Sequence, residues 1–174
     1  MNFLSSLFYT ILEFIDMGGW VLWVIAAVLF FMWTFIIERL WFIYKEFPKQ
    51  ARLKIAEWDA RDDTMSWSAH RIREYWVSDA RESLNAGLLI IKTLIAVCPL
   101  LGLLGTVTGM ISVFDGMTGQ GSGSARQMAD GIFQATIPTM AGMVAALSGL
   151  FISNRLEQAA FVKTHQFADS LPHH

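Results

Sequence analysis

Apolar residues gather into three long runs, 20–37, 88–114 and 131–152, and polar residues occupy the stretches between them. At ~1.5 Å per residue the middle run reaches about 40 Å as a helix, more than the roughly 30 Å of a bilayer's hydrocarbon core. The first run is uninterrupted, with Thr34 as its one polar side chain and tryptophans at both ends (Trp20 and Trp23, Trp33 and Trp41), as interfacial aromatic belts have. Residues 1–17 differ: Leu4, Leu7, Ile11 and Phe14 recur at helical spacing with Ser5, Thr10, Glu13 and Asp16 between them. That pattern predicts an amphipathic helix lying in the membrane interface, followed by a turn at Gly18-Gly19. A secretory leader would begin with positive charge and end in a small-residue cleavage site, and neither is present.

Charge is segregated as sharply as apolarity. The chain is 54% hydrophobic and only 16% charged, and 18 of its 28 charged residues fall in 38–87. There apolar positions such as Leu53, Trp58, Ile72 and Trp76 recur at helical spacing, predicting two helices separated by a turn near Asp62-Asp63-Thr64. Residues 115–130 open on Asp115-Gly-Met-Thr-Gly-Gln-Gly-Ser-Gly-Ser124, a composition read as a hairpin that does not hold a helix. Residues 153–174 read as a polar tail with residual helical spacing. Lysine and arginine number none in 1–19, nine in 38–87, one in the hairpin and two in the tail. The positive-inside rule then predicts an all-α, three-span membrane protein with its N-terminus outside and the 38–87 helical region and C-terminus in the cytoplasm.

Much chemistry is excluded at this point. The single cysteine, Cys98, lies in an apolar run and reads as a small hydrophobe. No His, Cys, Asp or Glu set has metal-ligand spacing, so no metal or cofactor is expected. No nucleophile–base pair suggests an enzyme, and no basic cluster suggests nucleic acid. The glycine-dense hairpin lacks the GK[ST] and the preceding strand of a phosphate loop.

The second and third runs carry a pattern of small residues. Gly102, Gly105 and Gly109 lie on one helical stripe, and Gly131, Ala135, Pro138, Gly142, Ala145 and Gly149 follow a four-three rhythm along the other run. In lipid such stripes let backbones approach and pack. Thr106, Thr108, Gln134, Thr136 and Thr139 lie on or near them. Each threonine can bond back to its own helix and be inert, but Thr106 and Thr139 lie at matching depth and together read as a polar lining. Between 88 and 114 and between 131 and 152, Lys92 and Cys98 are the only titratable side chains, and Lys92 reads as snorkelling from one end. Proton relays within membranes use Asp, Glu or His. If the chain serves proton movement, it supplies walls and another subunit must supply the carboxylate.

The motifs PLLGLLGTVTGMISVF (99–114), ADGIFQATIPTMAGMVAAL (129–147) and SNRLE (153–157) resemble those of the ExbB/TolQ/MotA family of proton-channel proteins. With three spans rather than four, the chain is closer to a compact ExbB or to TolQ than to MotA. The resemblance implies a bacterial inner-membrane homopentamer whose second and third spans line a pore. Two copies of a single-span ExbD-like partner would sit in that pore and contribute the protonatable aspartate. The work would reach TonB, energising outer-membrane import of siderophore iron, haem or cobalamin. A TolQ-like role in envelope integrity and a non-conducting scaffold are the alternatives. Carried onto this chain, the pore threonines are Thr106 and Thr139. The early third span of many members has a glutamate where this chain has Gln134, and Glu38 resembles a recurrent family acid at the end of the first span.

Overall fold

A computed structural model describes residues 19–61, 63, 66–120 and 125–171 of the chain. The interfacial helix expected over 1–17 and the terminal His173-His174 lie outside them. All regular structure among the described residues is helical: α1 (Gly19–Trp41), a π-helical turn (Phe42–Glu46), α2 (Phe47–Asp59), α3 (Trp67–Asn85), α4 (Leu88–Gln120) and α5 (Ala125–Asp169). Three stretches are long and apolar enough to cross a membrane; they lie within Gly19–Asp59, Trp67–Gly116 and Gly131–Asp169.

The chain does not pause where the first apolar run ends. α1 passes through the π-helical turn into α2, where the Phe47 N–H bonds to the Phe42 carbonyl. Pro48 explains the widened turn. A proline in a regular helix drives its ring into the carbonyl four residues back, here Tyr44, and donates nothing to it. One turn with longer hydrogen bonds accommodates that ring without ending the helix.

Two further boundaries differ from the sequence reading. The run after Phe114, read as unable to hold a helix, is helical as far as Gln120, and α5 begins at Ala125 rather than near Gly131. The reason is energetic. A glycine in a helix interior costs only about 1 kcal/mol relative to alanine, and 115–120 contains no proline. An existing helix therefore propagates through Gly116 and Gly119. At the other end α5 runs unbroken to Asp169, so the polar tail continues the third apolar helix.

The fold divides into two packed units. The first takes α1 as far as Met32 together with the Thr93–Gly149 part of α4 and α5. Its core holds Val21, Leu22, Ile25 and Ile137, flanked by Leu101 and Ala141. The second takes α1 from Trp33 onward, α2, α3, the start of α4 through Lys92 and the end of α5 from Leu150. There Phe47 meets Phe167 and Trp58 meets Trp76 edge to face, at 6.2 and 6.0 Å.

Caps and turns in the second unit follow from named residues. The Ser66 hydroxyl accepts the Ala69 N–H at 3.1 Å and so caps α3. Gly87 joins α3 to α4 at φ 77°, and a Cβ there would lie 2.7 Å from Arg39 Nε. The end of α5 is held by Arg73, whose Nε and Nη2 donate to the Leu171 and Ala168 carbonyls at 2.8 and 2.9 Å. The Ala168 carbonyl also accepts the Leu171 N–H at 3.3 Å, and a guanidinium at a helix C-terminus adds donors where the helix supplies few and faces the negative end of the helix dipole.

Candidate functional site

The small-residue stripes of α4 and α5 meet in the first unit as an antiparallel seam. Each step back along α5 meets an equal step forward along α4. A Cβ on Gly149 would press on Ile95 and Met32, and one on Gly142 would lie 2.5 Å from the Cys98 carbonyl oxygen. A Cβ on Gly102 would lie 2.9 Å from both the Pro138 carbonyl and Thr139 Cα, and one on Gly105 would overlap the Pro138 ring. Gly109 faces Ala135 and Gly131 faces Val113. Ala135, Pro138 and Ala145 are buried. α1 closes one side of the seam, with Val21 against Gly105 and Met32 against Gly149.

At the middle of the seam a hydroxyl crosses between helices. Thr139 Oγ1 donates to the Gly102 carbonyl at 2.8 Å. That carbonyl also faces the N–H of Thr106, four residues on in α4, so the bond joins the two threonine positions through one peptide oxygen. The Thr106 hydroxyl itself turns to Leu103 O at 2.6 Å on its own helix. Thr108 bonds to Leu104 O and Gly105 O, and Thr136 to Phe133 O. Thr106 and Thr139 are both half-buried. Of the hydroxyls singled out in the sequence, only that of Thr139 is committed to the facing helix.

Gln134 is exposed and lines a cleft of about 350 Å³ with Thr108, Ser112, Pro138 and the α1 residues Trp20 and Val21. Pro138 has no N–H, so the Gln134 carbonyl lacks its usual helical donor. The cleft thus offers an amide, hydroxyls and a freed carbonyl, and none of these groups ionises near neutral pH. Among the described residues no group of three or more His, Cys, Asp or Glu side chains is placed to hold a metal.

Glu38 lies in the second unit, where its carboxylate is 3.2 Å from Arg39 Nε. Lys92 pairs with Glu157 at 2.8 Å, and both side chains are about half exposed. Sequence reasoning missed this pair and the Arg73 clamp. Both link residues more than sixty positions apart, beyond the reach of any periodicity.

Two comparisons with known proteins bear on this arrangement. A model of the MotA/TolQ/ExbB proton channel family matches residues 42–169. An ExbB-like biopolymer transport protein (ExbB-like 1) of Synechocystis sp. is 48% identical over 66 residues, 36% of this chain and 26% of that protein. Biopolymer transport protein exbB1 of Vibrio cholerae is 38% identical over 73 residues, 41% of this chain and 32% of that protein. The Tol-Pal system protein TolQ of Haemophilus influenzae is 35% identical over 75 residues, 43% and 33% of the two chains. The matched part covers between a quarter and a third of each relative's length.

Proposed function

The chain belongs to the MotA/TolQ/ExbB proton channel family, and from that premise we propose that it is the multi-span subunit of an inner-membrane proton-driven complex of the ExbB kind. In this reading five copies form a ring, with the N-terminus periplasmic and the 38–87 helices and C-terminus cytoplasmic. α4 and α5 line the ring's pore, and an ExbD-like single-span dimer sits inside it. Proton flow would then do work on TonB and energise uptake of siderophore iron, haem or cobalamin.

One observation carries the reading. The α4–α5 seam is built from glycines, a cross-bonded threonine and a buried proline, and its sequence contains no carboxylate. A proton path along such a wall requires an acid from elsewhere, which a single-span partner would supply. In this reading Thr139 and Thr106 are the pore-lining threonines, and Gln134, Thr136 and Glu38 are supporting positions. A neutral amide at position 134 neither stores nor releases a proton, so in this chain a relay step there would pass through water rather than through the side chain.

The match to a TolQ protein favours a second reading, a Tol-Pal role in envelope integrity. The hydroxyls of Thr106, Thr108 and Thr136, all satisfied on their own helices, suit a third, a non-conducting scaffold.

Complementation separates the three. Thr139→Val and Thr106→Val, alone and together, are introduced into cells lacking the chain and grown on a siderophore as the sole iron source. Detergent sensitivity is scored in parallel, with protein level and partner co-purification as controls. Lost growth with assembly intact supports conduction in the TonB role. Detergent sensitivity with normal iron uptake supports the Tol-Pal role. Normal behaviour of the double variant on both counts supports the scaffold.

A further inference from the structure

The last third of α5 carries a basic cleft that the proton path does not use. Tyr44 from the π-helical turn and Arg155, Gln158, Val162, Lys163 and Gln166 from α5 line about 390 Å³ of space. The α5 residues fall at steps of three, four and one, a single helical stripe. No acidic side chain lines the cleft. Neither Arg155 nor Lys163 forms an ion pair among the described residues. Two uncompensated cations, a phenol and two amides therefore converge on one space, a donor set suited to phosphate oxygens.

The apolar end of the cleft indicates what kind of phosphate. One turn before Arg155, Phe151 is 66% exposed, and the guanidinium lies 5.6 Å from the centre of its ring. Tyr44 is 64% exposed and Trp41, three residues earlier, 63%. Bare aromatic rings directly below cations are the arrangement of a side-chain belt where hydrocarbon meets headgroup. A soluble anion would gain nothing from the exposed Phe151 face. An amphiphile gains on both counts, with acyl chains beside Phe151 and headgroup against Arg155 and Tyr44. Lys163 lies two turns, about 12 Å, beyond Arg155 along the helix, on the side away from Phe151.

We propose that this cleft binds the headgroup of an anionic phospholipid of the leaflet that surrounds the α5 end of the protein. The site rests on the membrane reading of the chain but not on TonB, ExbD or proton flow. Its failure would leave the proposed function untouched, and failure of the complementation test would leave this site untouched.

The test uses the full chain purified from membranes and reconstituted into vesicles of equimolar phosphatidylglycerol and phosphatidylcholine, then extracted with its annular lipid. Retained phosphatidylglycerol should exceed phosphatidylcholine, by about fivefold for each cation engaged. Arg155→Gln with Lys163→Gln should bring the ratio close to that of the mixture. Lys49→Gln with Arg52→Gln, which removes the same charge from the exposed face of α2, should leave the preference intact. Equal retention of the two lipids by the wild-type chain would overturn the proposal. So would a preference that survives loss of Arg155 and Lys163, or one abolished by millimolar inorganic phosphate. Should the α5 variant fail to assemble, photoreactive phosphatidylglycerol on the wild-type protein decides. Crosslinks at Tyr44 and within residues 155–166 support the site, and crosslinks confined to other segments overturn it.

Discussion

Thr139 donates its hydroxyl to the Gly102 carbonyl at 2.8 Å, linking positions 37 residues apart across the seam of α4 and α5. The bond depends on the glycine itself. A methyl group at 102 would lie 2.9 Å from Thr139 Cα and push the helices beyond hydrogen-bonding range. The same small residue thus permits close packing and supplies the acceptor.

Replacing Thr139 separates its packing from its bonding. Valine keeps the shape and loses the donor, and interhelical hydrogen bonds in membranes average about 0.6 kcal/mol with a ceiling near 1.7. Thr139→Val should therefore lower the thermal unfolding midpoint in detergent only modestly, and Thr139→Ser should stay close to wild type. A large loss of proton-driven growth beside a small loss of stability would mark the hydroxyl as part of the working path.

Glycines within α4 should differ by position. Gly105→Ala places a methyl group into the buried Pro138 ring, and overpacking of this kind costs about 1–3 kcal/mol. Gly116→Ala meets nothing within 4 Å and should be neutral or slightly stabilising through helix propensity, by at most ~1 kcal/mol. Thermal shift and elution on size exclusion, measured side by side, check the contrast.

Gly87→Ala combines two penalties. Its φ of 77° is strained for any residue with a Cβ, at about 1–3 kcal/mol, and the new methyl group also meets Arg39. Adding Arg39→Ala should relieve the contact but leave the backbone strain, so the double variant recovers only part of the loss. Full recovery in the unfolding midpoint would show that contact alone governs this position.

Arg73→Gln should loosen the end of α5. The Leu171 and Ala168 carbonyls lose charge-assisted donors, each bond worth about 1.5–3 kcal/mol, and Leu171 is fully buried beside them. Faster amide exchange and faster carboxypeptidase trimming over residues 165–171 are expected, with little change in 93–149. Arg73→Lys should not restore protection, because one ammonium does not reproduce the two-pronged geometry.

Much of the architecture was legible in the chain. Apolar runs longer than a core helix needs, tryptophans at their ends and segregated charge predicted the three long apolar helices, because the period and length of apolar residues directly reflect their surroundings. Helix ends were less legible. Gly116 and Gly119 are weak breakers once a helix is propagating, and the composition of 115–120 overstated their effect. Pro48 does not end its helix either, since a single widened turn absorbs its ring.

Sequence by itself determined which faces are small, which spans carry hydroxyls, and that those spans contain no carboxylate. These are properties of residue type and spacing. Tertiary structure decided which hydroxyl does what. A threonine in a helix chooses between the carbonyl three or four residues back and one on a neighbour, and that choice turns on a few tenths of an ångström between backbones. Thr106 bonds to Leu103 on its own helix, whereas Thr139, facing Gly102 where no side chain intervenes, bonds across. The Arg73 clamp, the Lys92–Glu157 pair and the basic cleft beside Tyr44 were decided in the same way. Each joins residues far apart in the chain, and only packing fixes their distance.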